Sequence, residues 1–308
     1  MNEYLPEGEL IRQEANLLHT GSISAIEECI KKGTIVEAVC ILCDSSHNLI
    51  VDFGFMKGVV PRTEGAVGIE SGATRDIALI SRVNKPVCFK ITGITRDEAG
   101  RRVALLSRKA AQEECIRNYI CRLRCGDIIG AKVTHMEQFG AFVDIGCGIP
   151  SLIPIDLISV SRISHPADRF TVGQSIKAVV KSIENEKITL SHKELLGTWQ
   201  QNADGFSPGE TVTGIVRSIE NYGIFVELKP NLAGLAELKS GVKVNSKVSV
   251  YIKAIIPEKM KIKLIIVDSF EAEKIKKPPV FDYYISSGSI GSWKYSTDRA
   301  DKVIITDF

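Results

Sequence analysis

The sequence predicts a mostly β protein: three small five-stranded barrels in tandem, joined by helical connectors, with a helical leader in front and a β-hairpin tail behind. Three observations carry that reading. One pattern of short strands is written three times along the chain, and an internal repeat is the most informative feature a lone sequence can show. Within each copy the strands alternate apolar and polar residues and are bounded by glycine and by turn residues, as half-buried strands are. Five short strands in so small a unit fit a closed barrel better than an open sheet, because closure removes the edges.

The clearest copy runs from Gly126 to Ser191. It opens with the β-rich Gly126–Thr134 run, continues with Ala141–Ile145, breaks at Gly146-Cys147-Gly148, and ends with Ile176–Ile183 and Lys187–Leu190 joined by Glu184-Asn185-Glu186. Gly140 lies between Phe139 and Ala141-Phe142, where a bulge or tight bend lets a strand turn a barrel corner. A later copy repeats the opening run as Gly209–Val216, the aromatic strand as Asn221–Leu228 and the last strand as Lys261–Leu264. A degenerate copy comes first, as Gly33–Val39, Leu49–Gly54 and Arg102–Ser107. These repeats are too long and too complete for a solenoid, so separate barrels on a string are expected, with divisions at 1–32, 33–107, 108–125, 126–191, 192–205, 206–268 and 269–308.

In chain order, Glu7–Leu18 reads as a helix with Leu10, Ile11, Leu17 and Leu18 on one face; Ser22, with Ser24 as the alternative, caps a second helix through Ile30 that Gly33 ends after Lys31-Lys32. This leader either docks on a partner or packs on the first barrel. The first barrel has His47 and Ile50 where the middle one has Phe139 and Phe142, so its stacking surface is largely lost and it reads as a scaffold or protein-docking module, with a base contact by His47 as the alternative. Gly65–Gly72 reads as a flexible insert. The connector Ser107–Leu123 is locally basic through Arg108, Lys109, Arg117 and Arg122, either a solvated face or a phosphate track.

The middle barrel carries the candidate chemistry. Single-stranded RNA is bound by splaying bases onto aromatic rings while cations follow the backbone. Alternation puts Val143 and Ile145 in the core and turns Phe142 and Asp144 outward, with Phe139 beside Phe142, either as a second stacking ring or closing the barrel end; Lys132 and Lys187 are candidate phosphate contacts, and His135 adds a ring or a hydrogen bond. In the next connector, Ser191–Asn202, Ser191 is a candidate cap, Leu195, Leu196 and Trp199 form an apolar stripe, and Trp199 reads as a packing anchor. The third barrel repeats the site with Tyr222 and Phe225, and Arg217, Lys261 and Lys263 nearby. Glu227 and Glu237 add negative charge there, which ranks this unit second. Phe270–Lys277 is short and charged, and Pro278-Pro279 closes it. Val280–Tyr284 and Ile290–Ser296 then read as a hairpin, and Val303–Thr306 as a last strand. Trp293, Tyr283 and Tyr284 imply that this tail packs on the third barrel or on a second chain.

Composition narrows the function. The chain has 308 residues, 44% of them hydrophobic, and a formal charge of +2, so nucleic-acid binding must come from local sites rather than from a basic whole. Of the eight cysteines, Cys40 and Cys43 stand three apart on an expected strand, on opposite faces, which suits no shared metal; reduced thiols and no cofactor are expected. No phosphate loop, paired metal carboxylates or nucleophile–base pattern is present, so no enzyme is expected, and Asp127, Asp144 and Asp156 read as turn and strand-surface residues. The opening Met1-Asn2-Glu3-Tyr4 is polar and acidic, and no apolar run is long enough to span a bilayer, so a cytoplasmic protein is expected.

The order Gly-Asp-x-x-x-(Gly/Ala)-x-Val, Phe-Gly-Ala-Phe-Val-Asp-Ile-Gly, Phe170-x-Val172-Gly173-Gln174 and Ile188-x-Leu190-Ser191-x-Lys193 resembles an S1 domain, the RNA-binding OB fold of the ribosomal protein S1-like family. The resemblance extends over Gly33–Asp268, strongest in the middle unit. It implies OB barrels, binding of single-stranded RNA, messenger RNA in translation above all, and association with the small ribosomal subunit. One departure stands out: family members often carry a His after the Gly-Leu-(Val/Ile) run, and here Pro61, Pro154 and Glu237 stand at that place. The alternative is a protein-interaction adaptor in RNA turnover or transcription with little direct RNA affinity. The outward aromatics at matching positions, Phe142 and Phe225, separate the two readings, since an adaptor has no use for them.

Overall fold

The structure is a computed structural model and describes residues 4–185, 187–270 and 280–308. It divides into two compact units, the first made of the residues up to Leu123 with the Asp144–Pro150 turn, the second of Arg124–Val143 and Ser151–Phe308.

In the first unit the leader forms α1 (Glu14–Thr20) and α2 (Ile23–Lys32). The Ser22 side chain accepts from the Ala25 N–H, and Gly33 ends α2 in the left-handed region at φ 62°, as the sequence implied. The first helix is shorter than expected, and Leu17 and Leu18 are exposed while Asn16 is buried. Asn16 brackets the Glu37 peptide, donating to its carbonyl at 2.9 Å and accepting from its N–H at 2.8 Å. A strand-edge peptide needs such a partner when buried, and that requirement oriented the helix against its apolar stripe. Ile26 and Cys29 of α2 lie in the core of the first barrel, so the leader packs within its own unit.

That barrel closes in the order β1 (Ile35–Cys43), β2 (Leu49–Asp52), β3 (Lys57–Val60), β5 (Arg102–Ser107), β4 (Pro86–Arg96), with a short α3 (Ile77–Ile80) between β3 and β4. The expected opposite orientation of Cys40 and Cys43 fails: the β1–β2 register slips between Cys40 and Leu42, and both thiols pack on the core. The insert at Gly65–Gly72 is part of that core too, through Ala66 and Ile69. The connector is α4 (Arg108–Asn118), capped by Ser107. Its Arg108 is no phosphate track; it is buried against the Glu7 carboxylate, with contacts of 2.7 and 3.1 Å.

In the second unit, β6 (Ile128–Glu137), β7 (Gly140–Asp144), β8 (Pro150–Pro154), β10 (Lys187–Ser191) and β9 (Ser175–Glu184) close one barrel, and β11 (Thr211–Glu220), β12 (Gly223–Lys229), β13 (Leu232–Ala236), β15 (Lys261–Phe270) and β14 (Lys247–Ile256) close another in the same cyclic order. Each barrel carries one parallel pair at the same place, Lys57 beside Val103, Leu152 beside Thr189 and Leu235 beside Lys263. The fold is therefore the predicted mostly β array of three closed five-stranded barrels.

The last two barrels are not beads on a string. Between them lie a turn of 3-10 helix at Lys193–Leu196 and α5 (Trp199–Ala203). Thr198 caps α5, sharing reciprocal bonds with Gln201, while the expected cap Ser191 bonds Glu194 instead. Trp199 is 2% exposed and shares one apolar core with Val179 of the second barrel, the interior of the third, and Trp293 and Tyr295 of the tail. The tail pairs β16 (Ser292–Lys294) with β17 (Ile305–Asp307), rather than Val280–Tyr284 with Ile290–Ser296. It packs on its own chain: the Ile290 N–H donates to Gly126, the Tyr284 N–H to Leu195, and the Tyr295 hydroxyl to Asn231 at 2.6 Å. Residues 271–279, which hold most of the expected Phe270–Lys277 segment and Pro278-Pro279, lie outside the described residues, as does Glu186.

Asp144, at the end of β7, was expected on the surface and is 3% exposed. Its carboxylate accepts from the N–H groups of Glu7 (2.7 Å), Gly146 (2.8 Å) and Gly148 (3.0 Å). Burial and the neighbouring Glu7 charge push its pKa up to about 7. Alternation does turn it away from the barrel interior, but the leader covers it, which a period-2 pattern cannot reveal.

Candidate nucleic-acid interface

The aromatic strands place two ring pairs in the same geometry. In the second barrel, Phe139 and Phe142 meet edge to face, centroids 5.8 Å apart and planes at 88°. In the third, Tyr222 and Phe225 do so at 6.0 Å and 90°. The first ring of each pair stands in solvent, Phe139 57% and Tyr222 66% exposed, and the second is half-buried on its strand. A glycine makes this possible. A side chain at Gly140 or Gly223 would put its Cβ 2.6 Å from the carbonyl oxygen of Ile153 or Ala236, so the aromatic strand passes too close to its neighbour for any other residue.

Around these pairs the two barrels differ. His135 stacks on Phe142 at 6.1 Å and 25°, extending the second-barrel platform to three rings, and its Nε2 lies 2.6 Å from the Glu137 carboxylate. Ser218 occupies the corresponding place opposite Phe225. Lys132 sits on β6 beside Ser175, on the strand face that alternates with buried Ala131 and Val133, and Lys187 is exposed where β10 begins. In the third barrel Lys261 and Lys263 are exposed on β15, and a row across the sheet links Phe225 to Leu235 and Leu235 to Lys263.

Arg217 leaves the candidate set on its placement. Its guanidinium is 8% exposed and bonded to Glu227 at 2.8 and 3.2 Å, with Asp168 at 3.3 Å. Glu227 is 6% exposed and also accepts from Arg169, itself 2% exposed. Arg169 and Asp168 come from the long β8–β9 connection of the second barrel, so this buried cluster joins the two barrels. Burial pulls the Arg169 pKa down against the Glu227 charge. Burial also pushes against ionisation of Asp168, but Arg217 and bonds from Ser164 and His165 more than offset it and hold its pKa low. Glu227 is therefore neutralised within the cluster and, contrary to the expectation from sequence, casts no negative charge over the aromatic face of the third barrel.

Sequence reasoning missed two features. Tyr251 is exposed on β14 opposite Ile265, one position along β15 from Leu264; strict alternation with buried Val248, Val250 and Ile252 was the available signal. The other is a buried aromatic knot behind the second barrel, where His192 packs edge-on to Phe170, Phe281 and Tyr283. His192 Nδ1 lies 3.0 Å from the Ile158 carbonyl and Nε2 3.2 Å from the Tyr283 hydroxyl, an arrangement that suits a neutral ring donating through Nδ1. Burial depresses its pKa to about 4. In the first barrel His47 sits in a turn at φ 62° and meets Asp76 at 3.7 Å, with no ring pair formed there among the described residues.

Comparison with known proteins finds an RNA-binding domain family and ribosomal relatives. Residues 122–193 match the family described as S1 RNA binding domain. The chain is 30% identical over 196 residues to the small ribosomal subunit protein bS1 homolog of Bacillus subtilis, covering 62% of this chain and 49% of that protein. It is 30% identical over 238 residues to small ribosomal subunit protein bS1 of Staphylococcus aureus, covering 75% and 58%. The chain thus spans about half the length of the curated relatives it matches. Among solved structures, a multidomain protein with nucleic acid binding domains from Streptococcus pneumoniae aligns over 78% of this chain and 75% of its own at 12% identity, with a TM-score of 0.24.

Proposed function

Taking the chain as an S1-domain protein similar to small ribosomal subunit protein bS1, we propose that it binds single-stranded RNA through two aromatic platforms, Phe139–Phe142–His135 on the second barrel and Tyr222–Phe225 on the third. The observation that carries the reading is the recurrence of one ring geometry, 5.8 Å and 88° against 6.0 Å and 90°, on two barrels with different surroundings. Packing alone gives no reason to repeat a mostly exposed ring at the same place. Bases stack on such rings, each contributing about 1–3 kcal/mol, while Lys132, Lys187, Lys261 and Lys263 follow the phosphates. Because the two barrels share a core and a buried ion cluster, one RNA strand meets both platforms at a fixed spacing, and the second contact forms at a high effective concentration. Modest sites then suffice. The role is non-catalytic, cytoplasmic and directed to messenger RNA in translation, at or near the small ribosomal subunit.

The test is fluorescence anisotropy with a labelled single-stranded RNA, a matched duplex and single-stranded DNA across a salt series. Binding that prefers single strands and weakens as salt rises supports the reading. No binding to any of the three rejects it and leaves the adaptor role as the function.

A further inference from the structure

The first barrel repeats a docking turn that the second barrel fills, and repeats it open. In the second barrel the turn after β7 is Asp144-Ile145-Gly146-Cys147, with the Gly146 N–H bonded to Asp144 Oδ1 at 2.8 Å. In the first barrel the turn after β2 is Asp52-Phe53-Gly54-Phe55, with the Gly54 N–H bonded to Asp52 Oδ1 at the same 2.8 Å. At Asp144 the second carboxylate oxygen accepts the backbone N–H of Glu7, the Cys147 N–H donates to the Leu5 carbonyl at 2.9 Å, and the Glu7 side chain ends on the guanidiniums of Arg108 and Arg82. The turn is thus a socket for an extended peptide: it offers a carboxylate and an N–H to the incoming backbone, with cations for its acidic side chain.

At Asp52 that socket has no occupant among the described residues. Asp52 is exposed, and Phe55, at the place of buried Cys147, is 42% exposed. A cavity of ≈ 450 Å³ opens there, lined by Asp52, Phe55, Lys57, Asp97, Arg101 and Arg102 among others. Phe55 is held by stacking on Phe53 at 6.3 Å, and Phe53 meets the core ring Phe89 edge-on, so the exposed ring rests on a fixed base. Arg101 is engaged by Asp97 at 2.8 Å, whereas Lys57 and Arg102 form no ion pair among the described residues. The site thus shares with the filled turn the aspartate and its bond to the glycine two residues on, in a turn one residue shorter (Phe53 N–H to Met56 where Ile145 N–H bonds Ile149), with cations nearby and an aromatic ring added.

We propose that the Asp52–Lys57 turn of the first barrel is a docking site for an extended segment of another polypeptide, one that presents a backbone N–H to Asp52, an acidic side chain to Lys57 and Arg102, and an apolar side chain to Phe55. The intramolecular precedent at Asp144 sets the backbone contacts, and the charge balance sets the acidic side chain. A peptide supplies the backbone N–H that Asp52 accepts and the apolar side chain that Phe55 meets, and a phosphate supplies neither, which separates this site from the RNA platforms.

The experiment uses the full chain and an acetylated, fluorescein-labelled peptide of residues Tyr4–Leu10, the segment that fills the Asp144 turn. Saturable anisotropy is expected, falling at least tenfold in affinity with Phe55→Ala, with Arg102→Glu, and with a peptide whose Glu7 is replaced by Ala. Arg102→Glu alters only an exposed charge, and thermal denaturation of each variant confirms that it is folded. Absence of saturable binding up to millimolar peptide overturns the proposal. So does binding indifferent to both protein substitutions, which places the peptide elsewhere. Phe55-dependent binding of a single-stranded RNA, without peptide binding, overturns it in favour of a nucleic-acid site.

Discussion

Replacing Glu227 with Ala tests the coupling of the last two barrels. The Glu227 carboxylate serves Arg169 and Arg217 at once, and without it Asp168 is the only carboxylate bonded to the cluster among the described residues. Both guanidiniums are at most 8% exposed, so neither can recover its hydration without opening the contact between the barrels. Removing one partner of a buried pair costs about 3–5 kcal/mol, because a buried charge is left uncompensated. For a unit of this size each kcal/mol lowers the melting temperature by about 2–4 °C, which places the expected shift at about 6–20 °C. Differential scanning calorimetry reads it directly. The account adds a functional consequence: Glu227 lies two residues beyond Phe225, yet Glu227→Ala acts on RNA affinity by loosening the spacing of the platforms, so it weakens binding to a long single strand more than to a short one. A shift below about 2 °C would show that the cluster is hydrated and that the barrels are not locked by it.

Other expectations follow from the same geometry. Phe142→Ala should weaken single-stranded RNA binding more than Phe225→Ala, because Phe142 also carries His135, with both variants still folded; equal and negligible effects in a titration would end the stacking account. Asp144 holds its proton up to about pH 7 in the folded state against 3.8 as the ordinary value, so the stability it contributes at low pH is lost as pH rises through that window; urea unfolding should show a declining wild-type profile that Asp144→Asn flattens, and parallel profiles would contradict it. His192 behaves in the opposite sense. Its folded pKa of about 4 lies below the ordinary 6.5, so stability present above 6.5 is lost as pH falls toward 4, and His192→Gln should remove that acid-side slope.

The barrels were legible because strand alternation and bounding glycines are local signals. Ala141, Val143 and Ile145 point to the core as the period-2 pattern required, and α2 begins and ends where the Ser22 hydroxyl and the left-handed backbone of Gly33 place its caps. The ring pairs were legible for the same reason. Residues whose partners lie far along the chain were not. Arg217 and Glu227 read as surface charges because the pattern shows only that they leave the barrel interior; Arg169, distant in sequence, closes over them. Asp144 was misread in the same way, with Glu7 as the hidden cover. The slipped register at Cys40 and the tail pairing of Trp293 with Thr306 depend on tertiary fit and leave no mark in local composition.

The most direct test of the central claim compares the wild-type chain with a Phe139→Ala/Tyr222→Ala double variant for binding a labelled single-stranded RNA at fixed salt. Both rings are mostly exposed, so the variant keeps its fold, and a stacked base contributes about 1–3 kcal/mol per ring. The account predicts a loss of at least tenfold in affinity, with each single variant losing less. An affinity unchanged in the double variant would contradict it and show that whatever RNA binding exists does not use these platforms.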